Sequence, residues 1–118
     1  MMTTQQVADR LIALCRTGKV LEAGEELYAE DIISIEPEHS PSPTAKGKKA
    51  VREKGNQFAA MIEQQHGGSF SEATIAGNHF SLAMNLDATF KDRGRMVMDE
   101  ICVYEVKDGK IVKEQFFF

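Results

Sequence analysis

The sequence is poor in the residues that build disulfides, metal centres and nucleotide sites. It has no tryptophan, three prolines, three histidines and two cysteines among 118 residues. Cys15 and Cys102 lie in apolar patterns and form neither a CxxC pair nor a Cys/His array, which predicts two buried, reduced thiols. The histidines lack the spacing of metal ligands, so we predict no metal site. A P-loop, a dinucleotide fingerprint and a nucleophilic triad are also missing, and we predict no cofactor.

The sequence also has neither a large excess of positive charge nor a long apolar run. The formal net charge is −4 and the basic residues are scattered, which argues against a nucleic-acid partner. No apolar run is long enough to cross a bilayer, and the N-terminus lacks the basic start and apolar run of a signal peptide. We therefore expect a cytoplasmic protein without a membrane partner. The length fits one domain, residues 1–118, with a core and a small cavity.

The first half of the chain has the apolar spacing of helices. Thr3 or Thr4 can cap a first helix and Gly18 can end it. A second helix is predicted over residues 20–28. A third is predicted over residues 48–65, where a glycine pair would stop it.

The second half changes to a period of two, which is typical of strands. In residues 80–90 apolar side chains face one side and polar side chains face the other. Residues 96–106 and 111–118 are two more strands, joined by a predicted three-residue loop with Gly109 in the left-handed region. The predicted helices precede a meander of antiparallel strands, and this order indicates an α+β fold. We expect three N-terminal helices to pack on a curled, mainly antiparallel sheet, which gives the domain the shape of a cone.

The predicted loop sets the register of the last two strands, and the register decides which side chains share a face. It places Cys102 opposite Glu114 and Glu100 opposite Phe116. The face predicted to line a pocket carries Met96, Met98, Glu100, Cys102, Tyr104, Val112, Glu114, Phe116 and Phe118. The opposite face carries Val97, Asp99, Ile101, Val103, Glu105, Ile111, Lys113, Gln115 and Phe117. Because both faces are rich in apolar side chains, we predict a homodimer through the outer sheet face.

The segment YAEDIISIEP, residues 28–37, marks the change from helix to strand. Residues 28–31 continue the helical period, and three β-branched isoleucines then favour a strand. Pro37 ends that strand and disfavours helical dihedral angles at Glu36. Glu36 is therefore held at a strand end before a loop and is a candidate general base. His39 follows in the loop, either as an acid or base at the pocket mouth or as a solvated side chain.

Three motifs resemble the nuclear transport factor 2-like superfamily, in its SnoaL-like and ketosteroid isomerase-like branch. They are LYAEDIISIEP, KGKKAVREKG and the closing VYEVKDGKIVKEQFFF. The resemblance covers most of the chain and implies a cystatin-like α+β fold around a hydrophobic pocket. It implies that Glu36 takes the place of the aspartate base, and that Leu11 and Cys102 take the places of the two oxyanion donors. Without those donors we do not expect classical ketosteroid isomerisation.

Two glutamates interrupt the apolar face that is predicted to line the pocket. Burial and mutual proximity would raise the pKa values of Glu100 and Glu114, so one could donate to a carbonyl while ionised Glu36 abstracts a proton. The alternatives are that a glutamate pairs with a lysine or with Arg52, or that the predicted register is off by one residue. The predicted substrate-binding side chains are Phe58, Met84, Met98, Cys102, Tyr104 and Phe116.

Together these features predict a protein that binds a small hydrophobic, carbonyl-bearing molecule. Acid/base chemistry without a cofactor, such as isomerisation or cyclisation with Glu36 as the base, would follow. The alternative is a non-catalytic ligand-binding or dimerisation module that uses the same cavity. The carboxylate before Pro37 favours the enzyme, and the two missing oxyanion donors favour the module.

Overall fold

Three helices and one sheet make up the computed structural model, which describes residues 1–118. The helices are α1 (Thr4–Arg16), α2 (Val20–Leu27) and α3 (Lys48–Met61). The strands are β1 (Tyr28–Ile35), β2 (Ala45–Lys46), β3 (Ile62–Phe70), β4 (Thr74–Ala76), β5 (His79–Phe90), β6 (Gly94–Lys107) and β7 (Lys110–Phe117). They pair in the order β2-β1-β7-β6-β5-β3, and β4 pairs with β5. Only β1 and β7 are parallel, so the predicted α+β fold with a mainly antiparallel sheet is confirmed.

The first helix begins and ends where its sequence predicts. The Thr3 hydroxyl accepts from the Gln6 backbone at 3.1 Å, and the Gln6 side chain accepts from the Thr3 backbone at 2.9 Å. This capping box satisfies two donors that a helix start leaves unpaired. Gly18 follows the helix with φ +78°. None of the three helices combines the length and the apolar character needed to span a bilayer.

Two predicted boundaries between helix and strand are wrong. Residues 28–31 belong to β1, because Tyr28 lies beside Ile111 of β7 and pairs there instead of continuing the helix. The third helix ends at Met61, and residues 62–65 start β3, which pairs with β5 from Ile62 opposite Phe90 onwards. Both segments have local helical spacing, but pairing with strands distant in sequence decides their structure.

The glycine pair lies inside β3 and does not end a helix. A Cβ at Gly68 would lie 2.9 Å from the backbone oxygen of Asn85, whereas a Cβ at Gly67 would meet nothing within 4 Å. We expect Gly68→Ala to lower the free energy of unfolding by about 1–3 kcal/mol relative to Gly67→Ala, because paired backbone cannot move aside freely. Urea denaturation of the two variants measures this difference. Equal unfolding free energies would contradict the close approach of β3 and β5.

The hairpin between β6 and β7 differs from its prediction in loop length. The loop has two residues, Asp108 with φ +52° and Gly109 with φ +74°, and Lys107 pairs with Lys110. Two consecutive positive φ values are typical of a type I′ turn, which matches the twist of antiparallel strands. The predicted three-residue loop is therefore wrong, although Gly109 does have a positive φ.

The register of this hairpin is shifted by two residues from its prediction. Cys102 lies opposite Phe116 instead of Glu114, and Tyr104 lies opposite Glu114. Because side chains alternate with a period of two, this error leaves most side chains on the predicted face. The exception lies at a bulge beyond Glu105, where Ile111 opposes Val106 and is fully buried in the core instead of facing outwards.

The hydrophobic core occupies one end of the sheet. The helices contribute Val7, Ala8, Leu11, Ile12, Leu14, Ala23, Leu27 and Val51 to it. The strands contribute Ile32, Phe80, Leu82, Cys102, Tyr104, Val106 and Ile111. Towards the β5–β6 turn, the same face of β6 carries Met96 and Met98, which line a cavity. The sheet therefore packs solidly at one end and is open at the other.

Candidate functional site

A cavity of about 720 Å³ lies between the helices and the sheet. Ligand pockets of known proteins have volumes of this order. The lining includes every residue that the sequence predicts for the site: Glu36, His39, Phe58, Met84, Met98, Glu100, Cys102, Tyr104, Glu114 and Phe116. Their roles in catalysis and binding stay predictions.

Glu36 points into the cavity at the end of β1, with 10% of its side chain exposed. Its carboxylate lies 2.9 Å from the ammonium of Lys54 and accepts a longer hydrogen bond, 3.4 Å, from Ser40. The Glu36 backbone N–H donates to the Thr44 hydroxyl at 3.2 Å, which joins the strand end to the following loop. The carboxylate is thus held in place by groups on both sides.

Lys54 is a cavity residue that was not predicted from the sequence. It lies on α3 with 11% of its side chain exposed, and it donates to Ser34 at 2.6 Å as well as to Glu36. Val51 and Phe58 lie three residues before it and four after it, on the same side of the helix. That spacing is the signal that could have placed Lys54 on the inner face of α3.

Glu114 is the most buried carboxyl group of the site. It accepts hydrogen bonds from the Tyr28 hydroxyl at 2.5 Å and from the Ser34 hydroxyl at 2.7 Å. Burial raises the pKa of Glu114, while the two hydrogen bonds and the charge of Lys54 oppose that rise. The alternative pairing with Arg52 is not found, because Arg52 pairs with Glu25. Glu114 therefore anchors a network of hydrogen-bonded side chains that runs in the order Glu36, Lys54, Ser34, Glu114 and Tyr28. Ser34 and Tyr28 were not predicted as site residues.

Glu100 differs from the other two glutamates because no protein group donates to it. Only 8% of the residue is exposed, and its oxygens face the cavity. Burial and the charge of Glu36 raise the pKa of Glu100 to about 7. Its carboxyl group therefore changes protonation near neutral pH, which suits a group that exchanges protons with a ligand.

The remaining predicted side chains shape the cavity wall. Burial of the Tyr104 hydroxyl raises its pKa well above the usual value, and its ring stacks on Phe80 at 4.7 Å between centroids. His39 is exposed at the mouth, where its ring meets the edge of Phe118 at 5.3 Å.

Both cysteines are free thiols that line the cavity. Cys102 is buried, as predicted, whereas Cys15 is only half-buried because it lies at the edge of the core. Burial raises the pKa of Cys102 to about 12 and that of Cys15 to about 11. These raised pKa values favour the protonated thiol of both cysteines at neutral pH. No cluster of His, Cys, Asp and Glu side chains is arranged to hold a metal ion.

Helices over a curved sheet with an apolar cavity between them are typical of a domain that binds a small molecule. The chain belongs to the SnoaL-like domain family, whose sequence profile matches residues 2–118. The family resemblance predicted from the three sequence motifs is thereby confirmed. Among proteins of curated function, no match is found.

Solved structures agree with this assignment. A proposed SnoaL-like polyketide cyclase from Mesorhizobium loti shares 36% identity, covers 99% of this chain and 100% of its own, and has a TM-score of 0.93. A hypothetical protein from Catenulispora acidiphila with a ketosteroid isomerase-like fold, in complex with trimethylamine, has 19% identity, coverage of 98% and 87%, and a TM-score of 0.75. An uncharacterised cystatin-fold protein from Novosphingobium aromaticivorans has 16% identity, full coverage of both chains and a TM-score of 0.77. The last two show the fold alone.

Proposed function

We propose that the cavity binds a small hydrophobic carbonyl compound and catalyses a cofactor-free proton transfer on it, as in an isomerase or cyclase. The observation that carries this proposal is the pairing of two different carboxyl groups in one apolar cavity. Glu36 is a fixed carboxylate beside a cation, and Glu100 is an unpartnered carboxyl group with a pKa of about 7. One base and one proton donor are what proton transfer next to a carbonyl requires.

The chemical step follows from these two roles. The carboxylate of Glu36 takes a proton from the carbon next to the ligand carbonyl, and the electron pair of that C–H bond moves towards the carbonyl oxygen. Protonated Glu100 donates a hydrogen bond to that oxygen as its negative charge develops. The apolar lining strengthens this interaction because it excludes water from the reacting groups. Return of the proton from Glu36 to a different carbon completes an isomerisation. In a cyclisation, the enolate carbon attacks a second carbonyl, and the oxygen of that carbonyl takes the proton back from Glu36 and becomes a hydroxyl group.

Hydrogen–deuterium exchange tests this proposal without knowledge of the natural substrate. Small cyclic ketones are incubated with the protein in D₂O, and loss of the proton signal next to the carbonyl is followed by NMR. We expect the wild-type protein to accelerate exchange over buffer of the same pD. Exchange at the buffer rate for every ketone that binds would contradict the catalytic proposal.

A second candidate function is non-catalytic binding of the same class of ligand. It is favoured by Leu11, which lines the cavity without a donor, and by Cys102, whose thiol is a weak donor. Ketones that shift the NMR signals of cavity residues without exchanging protons would assign this function.

We also propose that a second copy of the chain covers the outer face of the sheet. Ile101 on β6 lies directly opposite Phe117 on β7, and these side chains are 48% and 49% exposed. Val97 continues the same face of β6 and is 58% exposed. Adjacent apolar side chains on one sheet face are typical of a protein–protein interface.

Light scattering after gel filtration tests the dimer. We expect the wild type to have twice the chain mass of 13.1 kDa, and Ile101→Lys to shift the mass towards one chain, because an ammonium at the centre of an apolar interface is costly to bury. Val20→Lys is the matched control, since Val20 is a similarly exposed apolar residue on α2. A wild-type mass of one chain would contradict the proposed interface.

A further inference from the structure

We infer that Lys54 forms an oxyanion subsite in the cavity, because it is the counter-ion of Glu36 and becomes the counter-ion of the ligand oxygen when Glu36 takes up a proton. The inference rests on the proposed function and adds a residue, and a ligand class, to it. The class is a molecule whose oxygen carries negative charge next to an apolar or aromatic frame, such as an enolate or a phenolate.

The first observation is the spare donor of Lys54. An ammonium group has three N–H donors, and two of them are taken by Ser34 and Glu36. The third has no acceptor in the protein, although the side chain is almost fully buried and lines the cavity. A buried ammonium with an unused donor is suited to an acceptor on a bound ligand.

The second observation is the apolar surface beside the ammonium. The Lys54 Nζ lies 5.7 Å from the centroid of the Phe116 ring. This distance is within the range in which a cation and an aromatic face attract each other. An oxygen that reaches Lys54 therefore belongs to a ligand whose body lies against Phe116 and the methionines of the cavity.

Charge balance links Lys54 to the proton transfer. Before the step, Glu36 carries one negative charge, Lys54 one positive charge and the ligand none. After the step, neutral Glu36 holds the proton and the ligand oxygen holds the negative charge, while Lys54 is unchanged. The net charge of the cavity stays the same. Because the ligand oxygen becomes negative, Lys54 attracts it more strongly after the step than before it, and this gain offsets the attraction to Glu36 that the step removes. A cation held beside the developing oxyanion in this way stabilises the transition state.

The other ionisable groups around Lys54 do not replace it in this role. Glu100 on β6 and Glu114 on β7 are neutral when protonated and negative when ionised, so Glu100 can add a hydrogen bond to the ligand oxygen but neither group supplies positive charge. Tyr28 on β1 directs its hydroxyl proton to Glu114. Among these neighbours, Lys54 is the group that supplies positive charge.

Binding of 4-nitrophenol tests the subsite, because its neutral and ionised forms absorb at different wavelengths. The test compares phenolate affinity in Glu36→Gln with affinity in wild type. Without the negative charge of Glu36, the positive charge of Lys54 is no longer neutralised, and the third donor of its ammonium can bind the phenolate. We therefore expect about tenfold tighter binding of the ionised form or more, the size of a charge-assisted hydrogen bond.

Variants of Lys54 in the Glu36→Gln background identify the group responsible. Lys54→Met is expected to bind 4-nitrophenol as the neutral phenol, and Lys54→Arg is expected to keep phenolate binding. Lys54→Arg keeps the positive charge, so the test still has a readout if Lys54→Met does not fold. Lys49→Met removes the same charge from an exposed position on α3 and should leave phenolate affinity unchanged.

The outcomes separate this inference from the proposed function. Equal phenolate affinity with and without Lys54 overturns the inference, even if ketone exchange by wild type proceeds. Phenolate binding that depends on Lys54, without any ketone exchange, supports the subsite and overturns the catalytic proposal. Failure of every variant to bind 4-nitrophenol in the cavity overturns the subsite, and ketone exchange then decides the catalytic proposal.

Discussion

Glu36→Gln is expected to slow protein-catalysed exchange of ketone protons by about 10²–10⁴-fold, the usual contribution of a general base. The glutamine has nearly the same shape and can still accept from Lys54, so the cavity should keep its structure. It lacks the basic carboxylate that takes the proton. Exchange rates of the two proteins, measured at saturating ketone, give the effect on the chemical step separately from binding.

Glu38→Gln is the matched control for this experiment. Glu38 lies on the other side of Pro37, is exposed and does not line the cavity. Its replacement removes the same charge from the same loop and should leave the exchange rate unchanged. If Glu36→Gln retains exchange within a few-fold of the wild type, Glu36 is not the base.

Glu100→Gln is expected to stabilise the protein by about 3 kcal/mol at pH 8 and by much less at pH 5. Burial and the charge of Glu36 raise the pKa of Glu100 from 4.5 to about 7, so the folded protein holds a proton that the unfolded chain has lost. The contribution of Glu100 to stability is therefore fully present below pH 4.5 and is lost as pH rises from 4.5 through about 7. Because each pKa unit corresponds to about 1.36 kcal/mol, the full loss is about 3 kcal/mol. Glutamine stays neutral and avoids this loss.

Urea denaturation of wild type and Glu100→Gln at pH 5 and pH 8 measures the effect. Glu114 also has a raised pKa, but it is present in both proteins, so the difference between them reports Glu100. Glu53→Gln, an exposed change on α3, should give the same small difference at both pH values. A stability difference for Glu100→Gln that does not change with pH would show that Glu100 is ionised throughout this range.

The cavity-facing side chains of the last two strands were predictable from the sequence despite a wrong register. Alternation places Glu100, Cys102 and Tyr104 on one face of β6 whatever the loop length. A register error of two residues returns Glu114 and Phe116 to the same face of β7. The bulge that buries Ile111 was not predictable, because it depends on how β7 meets β6 beyond a tight turn.

The polar network of the site was not predictable in the same way. Ser34 and Glu114 come together through the parallel pairing of β1 with β7, and Lys54 reaches both strands from α3. These residues are far apart in the sequence, and no local spacing connects them. Residues 28–31 and 62–65 were wrongly predicted to be helical for a related reason. In both segments, pairing with strands that are distant in the sequence overrides the local helical spacing.

A crystal structure of the protein soaked with a small aromatic ketone would show whether a ligand binds in the cavity and which side chains contact it. We expect a ketone inside the cavity, with its ring against Phe116 and its oxygen within hydrogen-bonding distance of Glu100 or Lys54. Glu36 should face the carbon next to the carbonyl. A cavity filled by Met96, Met98 and Phe116, with Glu36 turned to solvent and no ketone bound, would contradict this expectation.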